Sequence, residues 1–181
     1  MDGEGNEADA AVGRLIELPP EVEEVFRKFR TCEFSTLARE GTPITWPLVT
    51  RWRLAERRFV LTAFIGLPCK AMNIRRDGRV SLLFSDPTAS GLQNPPAVLV
   101  QGDAIVSEEV RTSVAGFEDY WKKLFRFQPA GKMYGSNALM RYLFDWYYMR
   151  LYIFVQPRRV LWWPNADFGQ APLEMEVRRV G

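Results

Sequence analysis

Three short apolar segments, separated by loops of only a few residues, constrain the fold of this chain most strongly. They cover residues 32–38, 43–53 and 58–64, and Gly41 lies in the turn between the first two. Short apolar runs joined by short polar turns are typical of antiparallel strands. The residues are therefore predicted to form a meander. The prolines of the second segment predict that they lie near its start or on a sheet edge.

Further strands and helices surround this meander. Four more strands are predicted at residues 79–85, 97–107, 148–156 and 158–163. Gly102, in the middle of one of them, indicates a β-bulge. Helices are predicted at residues 19–29, which have prolines at the start and an apolar stripe, and at 107–146, with an interruption near 128–135. This order suggests a small closed barrel with helices outside.

Composition limits the class of protein. The 181 residues suit one domain, and 47% apolar with 25% charged residues is typical of a soluble globular chain. Residues 1–13 are acidic and predicted to be a disordered tail, which leaves 14–181 as the single domain. The formal net charge of +2, with basic residues spread along the chain, does not favour nucleic acid as partner. The most apolar stretch, 134–155, contains three charged residues, so no membrane span is predicted and the cytoplasm is the default location.

The chain has no histidine and only two cysteines. Histidine-based triads, histidine-ligated metal or haem, and a cysteine-only zinc site are therefore excluded, and no metal site is predicted. Proton transfer is left to other groups, and the sequence indicates no particular catalytic residue.

The segment at residues 61–83, LTAFIGLPCKAMNIRRDGRVSLL, carries the strongest functional signal. An apolar strand runs into a Gly/Pro turn, and a helix then begins with Lys70 in its first turn. Free N–H groups and the positive end of the helix dipole, together with a lysine, are suited to binding a phosphate. The alternative is that Lys70 is a solvated helix lysine.

The order of these motifs resembles the FMN-binding split barrel of the pyridoxamine 5′-phosphate oxidase-like superfamily. The segments that carry the resemblance are STLAREGTPITWPLVTRW, FVLTAFIGLPCKAMNIRRDGRVSLLFSDP and VLVQGDAIV, with a weaker echo in LYIFVQPRRVLWWP. The resemblance implies a mainly β fold: an antiparallel split barrel of six to seven strands with peripheral helices. It also implies a homodimer, with a helical insert at about residues 108–146.

The resemblance further implies a set of flavin-binding residues. In that superfamily basic residues hold the flavin phosphate, backbone and hydroxyl groups flank the ring or ribityl chain, and a C-terminal tryptophan often covers the cofactor. The corresponding positions here are Thr50, Arg51, Thr62, Ala63, Cys69, Lys70, and Trp162 or Trp163. Cys69 occupies a position where a second phosphate-binding arginine is common.

Some of these positions have a simpler explanation. Arg51 could pair with Glu56 on the strand surface. Cys69 has either a lowered thiol pKa at a helix start or a plain packing role. Trp162 and Trp163 point to opposite faces of a strand, so one could lie in the core and the other against a ligand or partner.

We therefore interpret the sequence as an FMN-dependent oxidoreductase that transfers hydride or electrons to a small molecule. The alternatives are a deazaflavin-dependent reductase of the same fold and a non-catalytic flavin-binding dimer. Oxidation of pyridoxamine phosphate is not expected, because the Arg/His pair for the substrate phosphate is missing and residues 165–168 carry an acid instead. The substrate is expected to stack among aromatic side chains, with candidates Trp121, Tyr142, Trp146 and Trp162.

Overall fold

An antiparallel sheet forms the body of the molecule in the computed structural model, which describes residues 18–127 and 145–177. Its strands are β1 (Cys32–Leu37), β2 (Pro43–Leu48), β3 (Arg51–Arg53), β4 (Arg58–Phe64), β5 (Arg79–Phe84), β6 (Ala97–Val106), β7 (Arg150–Trp163) and β8 (Leu173–Glu176). The helices are α1 (Pro20–Lys28), α2 (Cys69–Arg76), α3 (Glu118–Phe127) and α4 (Asp145–Tyr148). No helix of these residues is long and apolar enough to cross a membrane.

The strand order shows why the sheet curls into a split barrel. The order is β2-β1-β5-β6-β7-β4-β3, and β8 pairs with β7 outside this path. The two end strands, β2 and β3, follow each other directly in the chain with only Val49 and Thr50 between them. The two edges of the sheet must therefore approach each other at this connection, which we call the seam. The predicted mainly β split barrel with peripheral helices is confirmed, with β8 as an additional strand.

Two strand predictions differ from the structure at points where the sheet bends. Residues 43–53 form two strands rather than one, because the chain crosses from one sheet edge to the other at the seam. Residues 148–156 and 158–163 belong to a single strand, β7, with Pro157 inside it. Pro157 is tolerated because it lies opposite Gly102, where the register shifts and confirms the predicted bulge. A Cβ at Gly102 would lie 2.4 Å from the Gln156 carbonyl oxygen, so glycine is required there.

The predicted helical region at 107–146 begins later than expected. The segment after Ser107 is irregular, and α3 starts only at Glu118. Ser107 does not cap a helix, because its hydroxyl donates to the Glu109 carbonyl and accepts the Tyr152 N–H at 3.0 Å. These bonds tie the segment to β7. The interruption predicted near 128–135, the predicted tail at 1–13 and Tyr142 lie outside the described residues.

Two apolar clusters pack on opposite sides of the sheet. The first fills the barrel, where Phe26 of α1 contacts Phe59 with ring centroids 4.8 Å apart. The second packs α3 against the outer face of the sheet; its buried members are Val49, Val60, Phe117, Tyr120, Trp121, Leu124, Tyr148 and Tyr152. Burial of such side chains contributes about 1.5–3 kcal/mol each. The second cluster therefore holds α3 beside the seam and the polar groups around it.

Candidate functional site

Lys70 is a buried lysine at the start of α2. The chain leaves β4 at Phe64, turns through residues 65–68 and enters the helix at Cys69. The Lys70 side chain is only 8% exposed, so it is not a solvated helix lysine. Its Nζ lies 5.5 Å from the centroid of the Trp46 ring of β2. It forms no hydrogen bond or ion pair within residues 18–127 and 145–177.

The surroundings of Lys70 disfavour its charge. Burial lowers the pKa of the Lys70 ammonium, and the neighbouring Arg150 guanidinium lowers it further. Two cations that interact across a partly dry site repel each other, and an anion bound between them offsets that repulsion. This arrangement is therefore suited to an anionic ligand.

Arg150, the first residue of β7, is the second cation of this site. Its guanidinium donates to the Thr62 hydroxyl at 3.3 Å and to the Tyr147 carbonyl at 3.2 Å. It also lies 5.5 Å from the centroid of the Trp121 ring. It forms no ion pair with a carboxylate of the described part of the chain. We call Lys70, Arg150, Thr62 and Trp46 the Lys70 corner.

Buried hydroxyl groups from α3 and β7 support this corner. The Thr62 hydroxyl lies 3.0 Å from the Tyr120 hydroxyl, and Trp121 Nε1 donates to the Tyr152 hydroxyl at 2.9 Å. Burial raises the pKa of Tyr120 to about 12. Tyr120 therefore stays protonated at neutral pH and acts as a hydrogen-bonding support rather than as an acid.

Thr50 and Ala63 have different relations to the corner. Thr50, in the seam, is 1% exposed, and its hydroxyl oxygen has no hydrogen-bond partner among the described residues. An unpaired buried polar group costs about 1–3 kcal/mol, so a ligand that bonded it would gain affinity. Ala63 belongs to the barrel core, on the opposite side of β4 from the Thr62 side chain. Only its backbone is available to a ligand near Thr62.

Arg51 does not contact Lys70 in the structure. Its Nε donates to Asp119 of α3 at 2.9 Å, and its side chain lines a different cavity, beside α3. Glu56, the partner suggested by the sequence, pairs with Arg53 and Arg58 instead. Because Arg51 and Arg53 extend from the same face of β3, both reach Asp119.

The remaining predicted residues lie at the edges of the site or away from it. Cys69 is exposed, which argues against a packing role. Trp162 packs in the barrel core with its buried Nε1 unpaired among the described residues. Trp163 is half-buried on the other face, where its ring contacts Phe168. Trp162 follows Arg150 by twelve positions in β7, and at about 3.3 Å per residue the two lie roughly 40 Å apart along the strand.

Sequence reasoning missed Arg150, Trp46 and Tyr120 as members of this site. A signal for Arg150 was present, because it is a lone charge within the aromatic run WYYMRLYIF. Nothing in the sequence indicated that the seam brings Trp46 toward α2. Of the predicted aromatic walls, Trp121 contacts Arg150, and Trp146 packs on Phe64 with ring centroids 5.6 Å apart.

Comparison with known proteins identifies the fold. No protein-family model matches the chain, and no curated protein matches it. Solved structures do match. A Clostridium acetobutylicum protein related to general stress protein 26, of the pyridoxinephosphate oxidase family, superposes with a TM-score of 0.57 at 11% identity, covering 87% of this chain and 92% of that one. The fold is that of the pyridoxamine 5′-phosphate oxidase-like split barrel.

Other split barrels similar to this chain differ from one another in function. An F420 reductase matches with a TM-score of 0.53 at 20% identity, over 80% of this chain and 98% of that one. A haem-binding protein from Mycobacterium smegmatis matches with a TM-score of 0.54 at 17% identity, over 89% of this chain and 60% of that one. At these identities the likeness establishes the fold, and function must be argued from the site.

Proposed function

We propose that this split barrel binds a flavin at the Lys70 corner, with the flavin phosphate held by Lys70 and Arg150, and that it acts as an oxidoreductase. The observation that carries the proposal is the buried Lys70 ammonium beside the Arg150 guanidinium, with no carboxylate pairing either side chain in the described residues. A phosphate would supply the missing negative charge and accept charge-assisted hydrogen bonds from both groups.

The chemistry of the surrounding side chains fits a flavin phosphate. Trp46 offers an apolar ring beside the ammonium, and Thr62 offers a hydroxyl already bonded to Arg150. The hydroxyl of Thr50 in the seam, which has no partner among the described residues, would be a further donor for the ribityl chain. A bound flavin supplies hydride or single-electron transfer, while the residues of the corner position it and balance its charge.

The proposal includes FMN as cofactor, with a deazaflavin as the alternative. Both carry a phosphate, so the Lys70 corner suits either, and an F420 reductase is among the solved structures of the same fold. The visible spectrum of the purified protein separates them: oxidised FMN gives two bands, whereas a deazaflavin gives one at shorter wavelength.

A pair of ligands that differ only by the phosphate tests the site. We expect FMN to bind the wild-type protein about ten- to a hundredfold more tightly than riboflavin, because charge-assisted bonds contribute about 1.5–3 kcal/mol. Lys70→Met should remove most of this difference. Arg75→Met, on the exposed side of the same helix, should preserve it. Equal affinities of the wild-type protein for FMN and riboflavin would contradict the proposal.

A homodimer is part of the same proposal. Apolar side chains around the Lys70 turn are exposed, with Leu67 70% and Met72 61% exposed. Edge strand β2 is also poorly buried. A second copy would cover such a surface. The C-terminal end of β7 lies far from the Lys70 corner of the same subunit, so a tryptophan at that end would reach the flavin of the other subunit. Trp163, which is half-buried, is better exposed for this contact than Trp162. Light scattering that finds only monomer at micromolar concentration would reject the dimer.

We do not expect turnover of pyridoxamine phosphate. The Asp167 carboxylate, in the turn after β7, accepts bonds from Gly169 N–H and from Gln170 Nε2, so this turn presents an acid where the substrate phosphate would need a cation. A steady-state assay of FMN-loaded protein checks this, and turnover in the usual range of about 1–1000 per second would refute it.

The site favours reactions that need no proton from the protein. Tyr120, the hydroxyl bonded to Thr62, has a pKa of about 12 and is a poor acid at neutral pH. This favours hydride transfer or non-catalytic flavin binding over acid-assisted chemistry. Reduction of the bound flavin by a small-molecule donor under anaerobic conditions would support an oxidoreductase. A bound flavin that no donor reduces and no acceptor reoxidises would support a non-catalytic flavin-binding protein.

A further inference from the structure

A second buried lysine lies on α3, outside the Lys70 corner. Lys123 is 9% exposed and forms no hydrogen bond or ion pair within the described parts of the chain. Its side chain lines a cavity of about 650 Å³ between α1, α3 and the loop after β5. The cavity is within the range of about 300–1000 Å³ that small-molecule sites occupy.

The lining of this cavity is strongly basic. Its charged members are Arg27, Lys28, Arg51, Lys122, Lys123, Arg126 and a single acid, Asp119. Asp119 is already used by Arg51 and Arg53, and Glu24, on the surface of α1, pairs with Lys28 at 2.9 Å. The side chains of Lys122, Lys123 and Arg126 have no carboxylate partner among the described residues. The cavity therefore has an excess of positive charge that the described residues do not balance.

The charge on Lys123 is costly in the folded chain. Burial, with a smaller contribution from the Arg51 guanidinium, lowers the pKa of Lys123 to about 8. The Cys32 thiol near it gives no compensation, because burial raises the pKa of that thiol well above its usual value and keeps it neutral. A buried cation surrounded by other cations is stabilised when an anion enters the cavity.

The cavity offers further groups that suit an anion. Ser90 lines it from the loop after β5. The Ser90 hydroxyl oxygen accepts a bond from the Leu92 N–H at 3.2 Å, which leaves the hydroxyl proton available as a donor. Lys122 and Arg126 are exposed at the rim, where they can attract an anion before it reaches Lys123.

We propose that this cavity binds a phosphate-bearing small molecule of nucleotide size, with its phosphate against the Lys123 ammonium. A phosphate carries more charge and more acceptor oxygens than a carboxylate, which matches several cations around one recess. A nucleic-acid strand is less well matched, because Lys123 is recessed and the chain has a net charge of only +2.

The proposed site is separate from the Lys70 corner and does not depend on the proposed flavin. Tyr120 and Trp121 of α3 face the corner through Thr62 and Arg150, whereas Lys122, Lys123 and Arg126 line the cavity. The same helix thus forms part of two sites with different residues. Each site can be disabled without changing a residue of the other.

The experiment compares ADP with adenosine, which lacks the phosphates, by calorimetric titration. The background is Lys70→Met, which weakens any binding of the ADP phosphate at the Lys70 corner. We expect ADP to bind and adenosine to bind at least tenfold more weakly. Pyrophosphate, as a second probe, shows whether the phosphates alone are sufficient for binding in the Lys123 cavity. Pyrophosphate binding as tight as ADP binding also supports a phosphate site there.

Two neighbouring substitutions locate the contact. Lys123→Met should lower ADP affinity about ten- to a hundredfold, the loss expected for a charge-assisted bond. Lys122→Met also removes one positive charge, one position away at the exposed rim, and should lower ADP affinity less than threefold. Thermal unfolding verifies that both variants are folded. Equal losses in the two variants, adenosine binding as tight as ADP binding, no binding of ADP, or tighter binding of an oligothymidylate would each overturn the proposal.

Discussion

The two buried lysines of this chain differ in what surrounds them. Lys70 has one neighbouring cation, Arg150, and an aromatic ring, and it lies where the ends of barrel strands meet. Lys123 lies outside the barrel, in a cavity with five other basic side chains. A buried amine with no carboxylate partner among the described residues can therefore arise in two ways, at the end of a barrel strand or on a helix packed against the outside of the sheet.

The largest effect is expected from the second cation of the Lys70 corner. Arg150→Met should lower FMN affinity about ten- to a hundredfold, because it removes a charge-assisted donor to the phosphate. It should leave ADP affinity within twofold, because Arg150 does not line the Lys123 cavity. Fluorescence titration with FMN and calorimetry with ADP measure the two affinities. Equal losses for both ligands would mean that the two sites are not independent.

The pH dependence of ADP binding should separate the two lysines further. Lys123 has a pKa of about 8, and a bound phosphate favours its charged form. Affinity should therefore fall as the pH rises through about 8, by about tenfold between pH 7.5 and 9, where ADP keeps its charge. The charged or titratable groups that face Lys123 are Arg27, Lys28, Cys32, Arg51, Asp119, Lys122 and Arg126.

Substitution of Lys123 provides the control for that pH profile. The Cys32 thiol stays neutral through this range, since burial raises its pKa well above the usual value. The profile should therefore become flat in Lys123→Met. A profile that keeps its midpoint in this variant would assign the titration to another group.

A smaller effect is expected on stability. The pKa of Lys123 is lower in the folded chain than in the unfolded chain, so the unfolded state binds more protons and stability should rise as pH increases from about 8 toward 10.5. Lys123→Met should raise the free energy of unfolding at pH 7 by about 1–2 kcal/mol, since it removes a desolvated charge. Urea unfolding at pH 7 and pH 10 measures this. The gain should shrink at pH 10, and a gain that is equal at both values would contradict the assignment.

The fold could be predicted from the sequence further than the site could. Short strands and turns are local patterns, so the two hairpins within the predicted meander, β1–β2 and β3–β4, and the Gly102 bulge were predicted correctly. The seam was not, because the break at Val49 and Thr50 depends on the closure of the whole sheet. Lys70 was found from its local turn and helix, whereas its partner Arg150 follows it by eighty residues and meets it only through the pairing of β4 with β7.

The helix α3 shows the same limit at the second site. Its polar and apolar faces are visible in the sequence, but the neighbours of Lys123 from outside the helix come from α1, β3 and the loop after β5. That loop, residues 86–96, is long and rich in Pro, Gly and Asn, a composition that favours a functional or interfacial role. A local pattern can mark such a segment, yet it cannot say which cations the fold brings to it.

The smallest effect on FMN affinity is expected from Arg51→Ala. This variant decides between the role of Arg51 that the sequence resemblance implies and the one that the structure indicates. The resemblance implies that Arg51 binds the flavin phosphate together with Lys70, whereas in the structure Arg51 pairs with Asp119 and lines the Lys123 cavity. We therefore expect FMN affinity to change less than threefold. Asp119 keeps Arg53 as a partner at 3.2 Å, so the loss of Arg51 does not leave Asp119 unpaired.

The same substitution should also affect ADP binding. Because Arg51 lowers the pKa of Lys123, removal of Arg51 should shift the midpoint of the ADP pH profile upward from about 8. Titration of this variant with FMN and with ADP measures both effects, and a tenfold loss of FMN affinity with an unshifted ADP midpoint would show that Arg51 belongs to the flavin site.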